Sequence, residues 1–251
     1  MKLAILKNSL SPLQQENIQT LLKDTELLLL HLVTDCLCIK EPFLLLDSQK
    51  ESYDFTLQHH IPFLGFGFHL PCPYLIDDIS ALSDSYLRLV YARFYHLPFV
   101  LFQSEEITLR EYKVSEWEQV KNLYLLFADN KSVIPFSKDE STAMEQFSSR
   151  ILEYRYTNHG FYGIFNDKQD LIGQIGITDY EDGFELSYML HPDFQGNGIA
   201  FFLCQQVLVY AKNELGMDSL SIRIDSSNLP SMKLARKLQD VGIIDICINT
   251  F

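Results

Sequence analysis

The chain has 251 residues, 47% of them hydrophobic, and a formal net charge of −13, which fits a globular protein of one large domain or two modest ones. This net negative charge excludes nucleic acid and anionic membrane surfaces as main partners, because both bind basic patches. It is compatible with a cationic substrate. The longest apolar run, residues 27–33, is far below the ~20 residues of a membrane span, and no signal-peptide pattern opens the chain, so we expect a cytoplasmic protein.

The first hundred residues alternate between short strands and helices. Apolar runs at 43–46, 61–66 and 74–76 predict strands, and amphipathic segments at 49–59 and 83–95 predict helices. Alternating strands and helices are typical of a parallel α/β layer. We therefore expect a small α/β domain over residues 1–104, whose role the pattern does not identify.

Part of this region, residues 44–48 and 60–65, resembles the later half of a haloacid-dehalogenase-type core. In that family an Asp after an apolar strand, here Asp47, helps to hold magnesium. The family's nucleophile, the first Asp of an Asp-x-Asp run after the opening strand, is absent from this sequence. The resemblance therefore implies a similar core without phosphatase chemistry.

The character of the chain changes near residue 104. A strand is predicted at 107–111, helices at 114–127 and 138–157, and strands at 161–165, 171–178 and 184–190. Two helices followed by an antiparallel meander differ from the alternating pattern before them. We therefore predict a second domain over residues 105–251, and a mixed α/β protein overall.

The most informative segment links the strand at 184–190 to a long helix that ends near residue 215. Pro192 stops the strand, and Gly196 and Gly198 open the helix. Glycines leave room for a ligand and tolerate positive φ, while the first N–H groups of a helix and its dipole attract anions. The segment therefore predicts a pyrophosphate-binding loop.

This loop resembles motif A of the GNAT superfamily of N-acetyltransferases, Gln/Arg-x-x-Gly-x-Gly/Ala, through Gln195, Gly198 and Ala200. The resemblance covers residues 105–251 and implies a mixed sheet flanked by helices, acetyl-CoA as the cosubstrate, and no metal. It also implies that backbone groups of one strand pair with the pantetheine arm and that the loop holds the pyrophosphate. The residues expected to bind the cofactor in these two ways are Tyr188, Met189, Leu190, Gln195, Gly196, Asn197, Gly198, Ile199 and Ala200.

A second family motif, Asn-x-x-Ser/Ala, matches Asn228 and Ser231 at the entrance to the last helix. The resemblance implies that both residues touch the cofactor arm, although Asn228 is also a good helix N-cap. Many family members carry a Tyr four residues after the Ser/Ala, where its hydroxyl protonates the leaving thiolate, but this chain has Ala235.

The tail after this helix is shorter than in the family, with room for one strand instead of two. Three alternatives follow for the acceptor side: it is open, it is completed by the first hundred residues, or it is completed by the second subunit of a homodimer.

Amine acetylation requires a base, and Glu185 is the best candidate because strand alternation places it on one face with Ser187 and Met189. The alternative is a solvated strand carboxylate. We expect an N-acetyltransferase that transfers acetyl directly to a cationic small molecule or a protein N-terminus. The competing hypothesis is a CoA-binding sensor or interaction module with a degenerate acceptor site, which Ala235 and the short tail favour.

Overall fold

The computed structural model describes residues 1–67, 72–130, 133–181 and 183–251, apart from the side chain of residue 155. The chain divides into two compact units, Met1–Phe99 and Val100–Phe251. Each unit has its own sheet, of five and seven strands. The structure therefore divides the chain at 99/100, five residues before the predicted boundary at 104/105.

The first unit is a parallel α/β layer, as the alternating pattern predicted. Its strands follow the order β2-β1-β3-β4-β5, and every pair is parallel. The elements are β1 (Lys2–Leu6), α1 (Pro12–Leu21), β2 (Glu26–Leu30), β3 (Phe43–Asp47), α2 (Lys50–His59), β4 (Phe63–Phe66), β5 (Leu75–Ile76) and α3 (Asp84–Phe94). The first three of these elements were not predicted. The strands β1 and β2 are short apolar runs with no clear period, whereas the start of α1 does carry a local signal, a capping box formed by Ser11 and Gln14.

Asp47 ends β3, where the haloacid-dehalogenase resemblance placed a magnesium ligand. Its carboxylate is buried, and one oxygen accepts the N–H of Ser48. The described residues contain no group of three or more His, Cys, Asp or Glu side chains that fits a metal ion. Lys7 and Asn8 follow β1, so the end of this opening strand carries no acid. The resemblance is not borne out.

The second unit has a mixed seven-stranded sheet with helices around it. The strand order is β12-β11-β10-β9-β8-β7-β6, and only the β10–β11 and β11–β12 pairs are parallel. Its elements are β6 (Val100–Gln103), β7 (Ile107–Glu111), α4 (Trp117–Leu125), α5 (Glu140–Thr157), β8 (Phe161–Asn166), β9 (Leu171–Tyr180), β10 (Gly183–Leu190), α6 (Ile199–Leu215), β11 (Ser219–Ile224), α7 (Leu229–Val241) and β12 (Asp245–Thr250).

The end of the chain supplies the single strand that its length predicted. β12 pairs with β11 in parallel over six residue pairs, from Ser219–Asp245 to Ile224–Thr250. A parallel neighbour requires a crossover connection, and α7 forms that connection. Because Ala235 and Leu238 of α7 are fully buried, the crossover helix is held firmly beside the strand β11.

A buried ion pair holds the start of this unit together. Arg110 in β7 donates two hydrogen bonds to the carboxylate of Glu116, at 3.1 and 2.6 Å. Glu116 also accepts the N–H of Lys113 at 2.7 Å, and the Arg110 guanidinium lies 3.7 Å from the centre of the Phe165 ring. Because both side chains are buried, this bidentate ion pair fixes the conformation of the chain between β7 and α4.

Across both units, the described helices include none whose length and apolar character would suffice to span a lipid bilayer.

Candidate functional site

The site begins where two neighbouring parallel strands separate. β10 pairs with β9 along its whole length, from Gly183–Tyr180 to Leu190–Gly173. On its other side, within the described residues, it pairs with β11 only at Glu185–Ser221. Beyond that pair, the two strands diverge and leave one edge of β10 without a strand partner. Such an edge can bind an extended ligand through backbone hydrogen bonds.

Two hydrogen bonds show which backbone groups of β10 face this opening. His191 donates its N–H to Ile172 in β9, so the preceding residue, Leu190, directs its backbone groups to the opposite edge. The Leu190 carbonyl accepts a hydrogen bond from the Gln195 side chain at 2.7 Å, in agreement with that direction. By the same alternation, Tyr188 faces the opening and Met189 faces β9.

A cavity of about 450 Å³ occupies the space between the diverging strands and the starts of α6 and α7. Eleven of the twelve residues predicted for the site line it, and Asn197, which is exposed, does not. The lining residues among the predicted ones are Glu185, Tyr188, Met189, Leu190, Gln195, Gly196, Gly198, Ile199, Ala200, Asn228 and Ser231.

The glycine loop has the geometry of an anion cradle. Gly196 and Gly198 have φ angles of +82° and +80°, and a Cβ added at either position would meet no atom within 4 Å. The glycines therefore allow the positive φ angles of the loop, and the absence of side chains leaves open space before the helix. Gly198 caps α6, whose first turn has no acidic residue, so the free N–H groups there favour a negative ligand.

Gln195 has a supporting contact that the motif alone did not reveal. Its side-chain amide holds the Leu190 carbonyl, and its backbone N–H bonds to Pro192. The amide thus ties the loop to the end of β10.

The entrance of α7 forms the opposite wall. The Asn228 side chain accepts the N–H of Ser231 at 3.2 Å, which is the N-cap contact expected for it. The Tyr188 hydroxyl donates to the Ser231 carbonyl at 3.1 Å. Burial raises the pKa of Tyr188, so this hydroxyl stays protonated. Ala235 is fully buried, and it has no group that can transfer a proton.

Glu185 lies in the cavity wall with both carboxylate oxygens engaged. One accepts the Ser187 hydroxyl at 3.2 Å, which confirms that the two residues share a face. The other forms a short hydrogen bond with Arg223 of β11, and this bond raises the pKa of Arg223. The guanidinium also stacks on the Tyr180 ring, 4.0 Å from its centre.

The sequence interpretation missed three cationic residues that line the cavity: Arg223, Lys233 and Lys237. Arg223 alternates with buried residues in a strand, and Lys233 and Lys237 lie within a helix beyond its first turn. None of the three stands in a sequence pattern that indicates a binding site. Their positions depend on which elements are neighbours in the fold.

We predict that Gly198→Ala weakens CoA binding by about tenfold or more, because the added methyl group enters the space before the helix N-terminus; tenfold in affinity corresponds to about 1.4 kcal/mol. Titration calorimetry with CoA measures the change.

Because φ is positive at this position, the substitution also strains the backbone, and a control must share that strain. Gly216, at the far end of α6, has φ +65° and equally open surroundings, and it lies outside the cavity. Gly216→Ala should lower stability similarly and keep CoA affinity. Equal CoA affinity in the Gly198→Ala protein and the wild type would contradict the assignment of the loop.

Residues 106–239, more than half of the chain, match the family model described as an acetyltransferase (GNAT) domain. The chain is 21% identical over 138 residues, 54% of its length, to an uncharacterised N-acetyltransferase of Bacillus subtilis (strain 168), YnaD, of which the match covers 79%.

Solved structures with a similar fold include two bacterial enzymes. One is an acetyltransferase from Agrobacterium tumefaciens, with 19% identity, a TM-score of 0.46, and coverage of 55% of this chain and 81% of that one. The other is a ribosomal-protein-S5-alanine acetyltransferase from Vibrio fischeri, with 16% identity, a TM-score of 0.47, and coverage of 55% and 80%. From the family match over residues 106–239, the chain belongs to the GNAT acetyltransferase family.

Proposed function

We propose that the protein transfers an acetyl group directly from acetyl-CoA to an amine. The observation that carries this proposal is the separation of β10 from β11 after the single pair Glu185–Ser221. The free edge of β10 faces a cavity that continues to the glycine loop. In CoA an extended pantetheine arm is joined to a pyrophosphate, which matches the order of the free strand edge and the glycine loop along the cavity.

The residues of the site suit this ligand. The backbone groups of Tyr188 and Leu190 that face the opening can pair with the amides of pantetheine, as a neighbouring strand would. The N–H groups at the start of α6 can hold the pyrophosphate. Asn228 and Ser231 line the same cavity, and we expect them to contact the arm.

Bound acetyl-CoA would supply an acyl group activated as a thioester. Transfer forms a carbon–nitrogen bond and breaks the carbon–sulfur bond, so an oxyanion must be stabilised and the amine must lose a proton. Of the N–H groups that face the opening, that of Tyr188 lies nearer to Glu185 and is the expected oxyanion donor, which leaves the Leu190 N–H for pantetheine. Glu185 is the proposed base, which takes the amine proton directly or through water. The thiolate, whose pKa as a model thiol is ~8.5, departs and takes its proton from solvent.

A second candidate function is a CoA-binding sensor or interaction module that does not turn over. Two observations favour it. Ala235 offers only a methyl group on α7, and Glu185 is already paired with Arg223 and Ser187. In this candidate the ion pair with Arg223 keeps Glu185 from accepting the amine proton, so the protein binds the cofactor without catalysing transfer.

The two candidates are separated by incubating the full chain with acetyl-CoA and a panel of acceptors while free thiol is measured. The panel contains a polyamine, peptides with basic and neutral N-terminal residues, and the same peptides with blocked N-termini. We expect thiol release that depends on a free amine and a product whose mass has increased by one acetyl group. Because the chain is strongly acidic, cationic acceptors should react faster than neutral ones.

Binding of CoA without amine-dependent thiol release by any member of the panel would favour the sensor. Absence of CoA binding would contradict both candidates.

A further inference from the structure

Two lysines of α7 lie on the wall of the cavity, and neither belongs to the motifs that identify the family in this chain. The residues of α7 that line the cavity beyond its first turn are Lys233, Leu234 and Lys237. Residues three and four positions apart share one face of a helix. This spacing places both ammonium groups along the same wall, with their attachment points about 6 Å apart along the axis.

Among the residues that the structure describes, neither lysine has a counter-ion. Both side chains are exposed, and neither takes part in an ion pair or hydrogen bond within the part of the chain that the structure describes. The chain as a whole carries 33 acidic residues against 20 Lys and Arg. Two neighbouring ammonium groups without a counter-ion on one wall of the cavity attract an anion there.

The position of the two lysines relative to the glycine loop indicates which anion they bind. The Lys237 ammonium lies 5.9 Å from the centre of the Phe201 ring, and Phe201 is in the first turn of α6. Lys237 thus stands beside the loop, on the other wall of the cavity, and Lys233 lines that wall about one turn earlier in α7. A pyrophosphate at the loop is satisfied by N–H groups of α6, so the lysines fit a separate phosphate close to it.

CoA carries such a group, since its ribose has a phosphate monoester on the 3′-oxygen. This monoester has a charge of roughly −1.5 to −2 at pH 7 and offers strong acceptor oxygens. We propose that Lys233 and Lys237 bind the ribose 3′-phosphate and thereby make the site select CoA over cofactors that lack it. This inference rests on the proposed function, because it requires CoA to bind in the cavity.

The experiment compares CoA with dephospho-CoA, which lacks only the 3′-phosphate, by titration calorimetry on the full chain. We expect the wild type to bind CoA about tenfold more tightly, since hydrogen bonds between charged groups are the stronger ones. In the double variant Lys233→Gln/Lys237→Gln the two ligands should bind with nearly equal affinity. Dephospho-CoA should bind wild type and double variant alike, because the glycine loop is untouched.

Arg236 provides a matched control. It is an exposed cation on the same helix, and it does not line the cavity, so Arg236→Gln should keep the preference for CoA. The preference of the wild type should also shrink as salt is raised, because exposed charges are screened.

Equal affinities of the wild type for the two ligands would overturn the inference and leave the proposed function standing. A preference that survives in the double variant would likewise overturn it, since other groups would then bind the phosphate. Failure of both ligands to bind the wild type would overturn the proposed function and the inference together.

Discussion

Glu185→Gln is expected to lower kcat for acetyl transfer by about 10²–10⁴-fold, the usual contribution of general acid–base catalysis. The variant keeps the size of the side chain and one acceptor oxygen but can no longer accept the amine proton. CoA affinity should hardly change, because Glu185 lies five residues before Leu190, about 16 Å along an extended strand. Steady-state kinetics with the best acceptor amine, together with CoA titration, measures both quantities.

The pH profile distinguishes a base from a residue that only balances Arg223. At alkaline pH the free amine is already neutral, since α-amino groups have a pKa of about 8 and Lys-type amines about 10.4. If Glu185 is the base, the defect of the variant should therefore shrink as pH rises. If the carboxylate only holds Arg223, the defect should stay constant with pH, and Arg223→Gln should reproduce it.

Glu181→Gln is the matched control for charge. Glu181 is an exposed carboxylate at the end of the hairpin between β9 and β10, and it does not line the cavity. Its removal should leave kcat unchanged. A Glu185→Gln protein that keeps more than half of the wild-type kcat would show that the residue is a bystander.

Glu116→Ala is expected to lower the free energy of unfolding of the second unit by about 3–5 kcal/mol, because it leaves the guanidinium of Arg110 without its counter-charge in a buried place. Arg110 and Glu116 have side chains only 8% and 10% exposed. The chain has one tryptophan, Trp117, which is buried in the second unit. Its fluorescence during urea unfolding therefore reports on this unit.

The double variant Arg110→Met/Glu116→Leu tests the physical reason. Replacement of both charges by apolar groups of similar volume removes the uncompensated cation, and it should recover much of the stability lost in the single variant. If Glu116→Ala costs less than about 1 kcal/mol, the pair is solvated like a surface salt bridge, and the account of a dry ion pair is wrong.

Much of the second unit was predictable because its signals are local. The alternation of residues 184–190 predicts a strand, and the structure has β10 at Gly183–Leu190. The two glycines after it predict positive φ angles before a helix, which Gly196 and Gly198 adopt. Asn228 predicts a helix cap and makes that contact. Each of these features depends on residues within one or two turns of the chain.

The first unit shows where local signals end. Its short strands β1 and β2 have no periodicity that separates them from buried helix or loop, and they form because parallel neighbours complete their hydrogen bonds. The haloacid-dehalogenase resemblance failed for a related reason. An apolar strand followed by an Asp is a pattern that many parallel sheets share, and the pattern alone does not bring other ligands to Asp47.

The sequence by itself thus determined the family motif, the glycine loop and the face of β10 that carries Glu185. Only the tertiary structure decided what surrounds them: Arg223 reaches Glu185 from a strand 38 residues away, and Lys233 and Lys237 reach the cavity because α7 crosses beside α6. The physical reason is that backbone conformation and side-chain alternation depend on neighbouring residues, whereas the pairing of charges depends on strand register and helix packing between distant segments.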